Sequence, residues 1–88
     1  MGCYISVVND AGDEHPNWEQ KLSRNRDYAV LYYSLPHKER KKDEALRPSD
    51  FPAWREAIGT ASLTNRKAHL MLMDILEQDP QWWIRVSW

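Results

Sequence analysis

Residues 82–88 read Trp82-Trp83-Ile84-Arg85-Val86-Ser87-Trp88, and in them Trp82, Ile84, Val86 and Trp88 alternate with Trp83, Arg85 and Ser87. A period of two predicts a β-strand with one apolar face, Trp83 and Arg85 sharing the other. Asp79-Pro80 precedes it and is suited to closing a helix, because the residue before a proline is pushed out of helical backbone. An apolar strand at the end of the sequence, where a frayed tail would be polar, is expected to be built into the core.

Two other segments are strand candidates. Residues 3–8 (CYISVV) suit a first strand, and residues 28–35 (YAVLYYSL) are apolar on both alternating faces, as a central strand covered on two sides would be. A helix running from 18 through 35 fits the same run, since short apolar stretches do not separate helix from strand by periodicity alone. Between the two, residues 9–14 (NDAGDE) form a turn in which Gly12 is free to take positive φ and the Asn or Asp side chains can satisfy backbone donors. Pro16 then opens a short helix over about 16–24, with Trp18 and Leu22 four residues apart, unless this stretch is an extended arm.

Pro36 ends the 28–35 element. Residues 37–47 (HKERKKDEALR) are dense in both charges and are expected as a solvated helix or a loop, with Arg40 and Glu44 at i,i+4 and Lys41 and Glu44 at i,i+3. Pro48-Ser49-Asp50 is helix-start chemistry, Phe51, Trp54 and Ile58 make an apolar stripe, and Gly59 serves as the stop of a helix over 50–59. With Ser62 as N-cap, a longer helix follows over 63–78, burying Ala68, Met71, Leu72, Ile75 and Leu76. The expected architecture is α+β in one domain spanning 1–88. A small three-stranded sheet (3–8, 28–35, 82–88) carries the two main helices, about 50–59 and 63–78, on one face.

A chain of 88 residues buries only about 60% of the surface its unfolded form exposes, so the five Trp, four Tyr and one Phe are expected to stand in for a wide aliphatic core. Twelve Lys and Arg against thirteen Asp and Glu give a net charge of -1, which leaves nucleic acid or anionic lipid to be attracted only by local patches. Cys3 is the sole cysteine, so no intramolecular disulfide can form, and no stretch approaches the 18 or so apolar residues of a membrane span. A soluble cytoplasmic protein is expected. Met1-Gly2-Cys3-Tyr4-Ile5-Ser6 also fits an N-myristoylation pattern with a palmitoylation candidate at Cys3, although a lipid there would sit at the very start of the first strand.

Several features point to recognition. On a helical wheel of 63–78, Leu70 and Met73 fall beside Arg66, Asp74 and Glu77, away from the main apolar stripe, as a partner-facing or self-associating strip would. Arg66 and Lys67 stand in the first turn while Asp74, Glu77 and Asp79 crowd the last, the reverse of what the helix dipole favours. With Asn65 and His69, that helix start offers donors to an anion, either a phosphate or an acidic partner. The short 59–62 connection admits a helix-turn-helix in which Asn65, Arg66, Lys67 and His69 read nucleic acid, with Lys38, Arg40, Lys41 and Lys42 adding phosphate contacts. Against it, Glu39, Asp43 and Glu44 dilute the basic run, and the acidic far end of the helix would repel phosphates. Trp83 beside Arg85 is a good interface anchor, both groups losing water readily.

Catalytic signatures are missing. His15, His37 and His69 are scattered, three glycines build no phosphate loop, no Cys or His spacing suits zinc, and Asp10, Asp13 and Glu14 lack the pattern of a calcium loop. No metal or cofactor is expected. The sequence fits a small non-enzymatic protein-interaction module, an inhibitor or regulator of a larger protein, contacting it through Leu70, Met73, Trp83 and Arg85, with Arg66 and Lys67 steering an acidic surface. Accessory proteins of phages and mobile elements often have this profile. A nucleic-acid-binding regulator is the alternative, and a homodimer is compatible with either.

Overall fold

The computed structural model describes residues 3–16, 18, 22 and 26–87. In chain order it contains β1 (Tyr4–Val8), α1 (Arg26–Ser34), β2 (His37–Arg40), β3 (Ala45–Pro48), α2 (Phe51–Thr60), α3 (Arg66–Gln78) and β4 (Trp83–Ser87). The four strands form one antiparallel sheet in the order β1-β4-β3-β2. The class is α+β, as expected, with one more strand than the sequence suggested and with a helix where the central strand was expected.

Strand β4 carries the architecture. It pairs with β1 along its whole length, Ile5 opposite Val86 and Val7 opposite Ile84, and it meets β3 through Leu46 opposite Ile84. Ile5, Val7, Leu46 and Ile84 thus line one face of the sheet and join a single apolar cluster with Tyr28, Tyr32, Trp54, Ile58, Leu72, Met73 and Leu76. All three described helices contribute to that cluster, so they lie on the same side of the sheet. Alternation in 82–88 predicted this apolar face, with Ile84 fully buried and Trp82 and Val86 partly so; Trp88 lies outside the described residues.

Residues 28–35 form most of α1 rather than a strand. Tyr28, Ala29 and Tyr32 are buried at helical spacing, while Leu31, Tyr33 and Leu35 pack at the margins of the same cluster and Val30 stays exposed. A wide helical stripe of this kind places apolar residues on both alternating positions, which is why the run imitates a doubly covered strand. The expected helix over 16–24 lies mostly outside the described residues. Trp18 and Leu22 are buried and joined by a helical bond from the Leu22 N–H to the Trp18 carbonyl at 3.0 Å.

Residues 37–47 are neither helix nor loop. They form most of the β2–β3 hairpin, with His37 opposite Pro48 and Arg40 opposite Ala45. The Arg40–Glu44 pairing of a helix is replaced by Arg40–Asp43 at 2.6 Å, and Glu44 takes a left-handed φ of 57° to close the turn. Asp43 also accepts from the Ala45 N–H at 3.3 Å. Strand β2 (HKER) forms one side of the sheet, and its charges discourage pairing with another chain's strand.

The turn before α1 follows expectation: Gly12 has φ 87°, and the Asn9 side chain accepts from the Ala11 and Asp13 N–H groups at 2.9 Å. The chain then returns along β1, the His15 N–H donating to the Val7 carbonyl at 2.7 Å, and so occupies part of that outer edge. Helix α2 also matches expectation, with Asp50 as N-cap accepting from the Ala53 N–H at 3.1 Å and Trp54 and Ile58 buried. Gly59, however, is helical and has no positive φ; the helix closes at Ala61 instead.

Helix α3 starts three residues later than expected. Its N-cap is Asn65, in left-handed backbone at φ 61° and without a side-chain cap bond, so Ser62 has no capping role. Its buried face is His69, Leu72, Met73 and Leu76, while Met71 is 44% exposed. The apolar-only wheel put Met71 inside and Met73 outside. The structure reverses them, because His69 is also an inward residue and turns the buried stripe by one position.

Candidate functional site

The alternation that sends Ile5, Val7, Ile84 and Val86 toward the helices sends Tyr4, Ser6 and Val8 of β1 and Trp83, Arg85 and Ser87 of β4 to the opposite face. The register sets Tyr4 beside Ser87, Ser6 beside Arg85 and Val8 beside Trp83. Arg40 and Lys38 of β2 share this face, since Arg40 pairs with Ala45, the neighbour of inward-facing Leu46. No described helix covers it. Val8 and Ala45 are fully buried without belonging to the helix-side cluster, so this second face has a small apolar floor of its own.

Arg40 organises one end of the face. Its guanidinium lies 5.2 Å from the centre of the Trp83 ring. It donates to both Asp43 carboxylate oxygens at 2.9 and 2.6 Å, to Asp10 at 3.0 Å and to the Asn9 carbonyl at 3.0 Å. The bond to Asp43 raises the Arg40 pKa, and the same bond holds the Asp43 carboxyl below its ordinary value. Lys42 donates to the Asp10 carbonyl. Two members of the basic 38–42 run therefore fasten the 9–13 turn to the hairpin. Lys38 and Lys41 remain exposed and form no ion pair among the described residues.

At the other end, Tyr4, Ser6, Glu14, Arg85 and Ser87 surround an open groove of about 350 Å³. Tyr4 is 44% exposed and Arg85 is exposed, with no ion pair among the described residues. Half-buried Trp83 lies between this groove and the Arg40 clamp. The result is an exposed aromatic, a half-exposed aromatic and two unpaired cations, Lys38 and Arg85, on one sheet surface.

The other expected contact residues lie on the helix side, so the sequence-predicted set is split across the sheet. Met73 is fully buried and withdrawn from any surface, and Leu70 is half-buried against the core. Arg66 donates to the Gly59 carbonyl at 3.0 Å, and Lys67 and Asn65 are exposed. His69 is fully buried: its ring lies parallel to that of Tyr28 at 3.6 Å, and its Nδ1 shares a hydrogen bond with the Tyr32 hydroxyl. Burial lowers the His69 pKa from 6.5 to about 4 and raises that of Tyr32 well above its ordinary value. Among the four residues offered to nucleic acid at this helix start, His69 is thus inaccessible.

The reversed charge order of α3 is real but asymmetric. At its C-terminal end every acid has a partner: Arg55 binds Asp74 at 3.0 Å and Glu77 at 2.9 Å, and Asp79 accepts from Gln81 at 2.8 Å and the Trp82 indole at 3.1 Å. Arg47 donates there to the Leu76 carbonyl and, at 2.8 Å, to the Trp82 carbonyl, which supplies the cation that the dipole favours. Arg66 and Lys67, at the N-terminal end, have no carboxylate partner among the described residues.

The remaining titratable groups do not converge. His15 packs edge-on against Trp82 at 4.7 Å, His37 against Tyr33 at 5.8 Å, and no three His, Cys, Asp or Glu side chains among the described residues are grouped to hold a metal. Cys3 is buried and burial raises its thiol pKa, a poor setting for acylation; Met1 and Gly2 lie outside the described residues. None of the described helices is long and apolar enough to cross a membrane. Tyr4 and Ser6 were not singled out from sequence, although alternation within 3–8 is the signal that places them beside Arg85, and Lys38 was expected only as a phosphate contact.

A scan against protein-family models finds no match, and neither the curated proteins nor the solved structures contain a match to this chain.

Proposed function

We propose that this chain is a non-enzymatic interaction module that docks the open face of its sheet onto an acidic surface of a larger protein, as its inhibitor or regulator. The observation that carries the proposal is the convergence of Tyr4, Trp83, Arg85 and Lys38 on one face that no described helix covers, with both cations free of carboxylate partners among the described residues. Aromatic and guanidinium groups lose little on desolvation and recur as interface anchors, while free cations at the margin speed encounter with an acidic partner. The Arg40 clamp keeps Trp83 in place before docking, which reduces the ordering cost of binding. The lone buried cysteine suits a reducing cytoplasmic setting.

Nucleic acid is the less favoured partner, because Arg40 and Lys42 are already engaged and His69 is buried. Capture from native lysate with wild type, R85E/K38E and K67E tests the proposal, alongside a tryptophan-fluorescence titration with duplex and single-stranded nucleic acid. One defined protein should be retained by wild type and K67E and lost with R85E/K38E. Equal retention by all three, or a saturable fluorescence change with nucleic acid that weakens steeply with salt, would overturn it. Light scattering that shows a dimer lost in R85E/K38E would reassign the face to a second copy of the chain.

A further inference from the structure

We propose that Arg40 is the guanidinium on which the open sheet face receives a carboxylate of its partner, and that the Asp10 side chain holds that position until the partner displaces it. The inference rests on the reading of this face as a docking surface for an acidic partner, and it names the group at the centre of that surface.

Arg40, Ala45, Arg85 and Ser6 form one row across the sheet. Arg40 is opposite Ala45 and Ser6 is opposite Arg85, and the antiparallel pairing that sets Leu46 against Ile84 brings Ala45 beside Arg85. With neighbouring strands about 4.8 Å apart, the backbones of the two arginines are separated by about 10 Å, with only the small side chain of Ala45 between them. Trp83 borders the same gap, its ring centre 5.2 Å from the Arg40 guanidinium. An extended acidic segment laid across the strands would span that distance with carboxylates on residues about three positions apart.

Arg85 has no ion pair among the described residues, whereas Arg40 divides its donors between fixed and exchangeable acceptors. Its Nε and Nη2 donate to part-buried Asp43 at 2.9 and 2.6 Å, and Nη2 donates also to the Asn9 carbonyl at 3.0 Å. Its Nη1 donates to Asp10 at 3.0 Å, and that side chain is 75% exposed. A second carboxylate can therefore take the place of Asp10 on Nη1 while the bonds to Asp43 and Asn9 remain. The turn itself need not move, because Lys42 donates to the Asp10 carbonyl and the Asn9 side chain accepts from the Ala11 and Asp13 N–H groups. Water and salt weaken the exposed Arg40–Asp10 pair, whereas a carboxylate brought in under a docked partner is shielded from both, and the exchange favours the partner.

Octaglutamate is the probe, titrated at constant low ionic strength into wild type, D10N, D13N and R85E/K38E, and followed by tryptophan emission and by the Arg40 Nε–H resonance. Asp13 lies in the same turn and its carboxylate makes no ion pair among the described residues, so D13N removes the same charge without freeing Arg40. D10N keeps the main-chain bonds of the turn, and its melting temperature should stay close to that of wild type. Wild type should bind saturably with a shift of the Arg40 resonance, and R85E/K38E should not bind. D10N should bind about two- to fivefold more tightly than D13N, the gain expected from removing an exposed competing ion pair. If wild type binds and R85E/K38E does not, but D10N and D13N bind alike or the Arg40 resonance stays in place, the docking face stands and the role of Arg40 is overturned. Binding absent from wild type and D10N alike, or undiminished in R85E/K38E, overturns the reading of the docking face and this inference with it.

Discussion

The imidazole of His69 lies 13° from parallel with the Tyr28 ring, at 3.6 Å between ring centres, inside the apolar cluster that joins the helices to the sheet. A group that is charged at mild acidity when solvated is thereby held neutral. Its pKa falls from 6.5 to about 4 because burial penalises the imidazolium. The unfolded chain accordingly binds the extra proton first, and stability is complete above about pH 6.5, declines as pH falls toward 4, and is level below that. The full difference amounts to about 3 kcal/mol as an upper bound. Urea midpoints between pH 7.5 and 3.5 should show this decline, and H69L should flatten that part of the profile while lowering stability at neutral pH, since the Tyr32 hydroxyl loses its partner.

Met71 and Met73 are two positions apart and have opposite surroundings, the first 44% exposed and the second fully buried. Met71→Lys should change stability by less than about 0.5 kcal/mol, whereas Met73→Lys buries an unpaired ammonium and should prevent folding. Circular dichroism of the two variants at neutral pH is sufficient. A folded Met73→Lys would mean that α3 is rotated from the orientation described.

Arg40 joins the hairpin turn, the 9–13 turn and Trp83 through its guanidinium, and its side chain is only 13% exposed. Arg40→Met should cost about 2 to 3 kcal/mol, because Asp43 and the Asn9 carbonyl lose a charged donor at a partly buried position. Trp83 should become more solvent-accessible in the variant, seen as a red shift of emission. A denaturation midpoint equal to that of wild type would show the clamp to be incidental.

Arg47 donates to carbonyls of Leu76 and Trp82 where α3 gives way to β4. Removing it as Arg47→Met leaves those acceptors and the negative end of the helix without their cation, at about 1 to 2 kcal/mol. Hydrogen exchange should accelerate in the last turn of α3 before it does so in α2. Uniform acceleration across both helices would argue against a local capping role.

What the sequence disclosed depended on the range of the interactions involved. The alternation of 82–88 and the Asp50-Phe51-Trp54-Ile58 pattern are local, and both survive in β4 and α2. The hairpin was illegible because Arg40 takes Asp43 in place of the helical partner Glu44, and because its further bonds to Asp10 and Asn9 join residues 30 or more positions apart. Tyr28 to Leu35 was ambiguous because a broad helical stripe and a doubly covered strand produce the same run of apolar letters. The rotation of α3 was hidden in His69, a polar letter that two tyrosines on another helix make acceptable in the core. Two residues of the candidate docking face, Trp83 and Arg85, could be read from alternation; Tyr4, Ser6 and Lys38 join it only through strand register.

The order β1-β4-β3-β2 also governs when the sheet can form. Strands β2 and β3 are neighbours in sequence and can zip as soon as both exist, but Ile5 and Val7 must wait for Val86 and Ile84. On the ribosome, β1 is made well before β4, and its apolar side chains stay without that shielding neighbour until residues 83–87 have emerged. Loop closure between β1 and β4 is therefore expected to limit the folding rate, and a nascent chain stalled before Trp83 would offer β1 to whatever chaperone or stray strand it meets first.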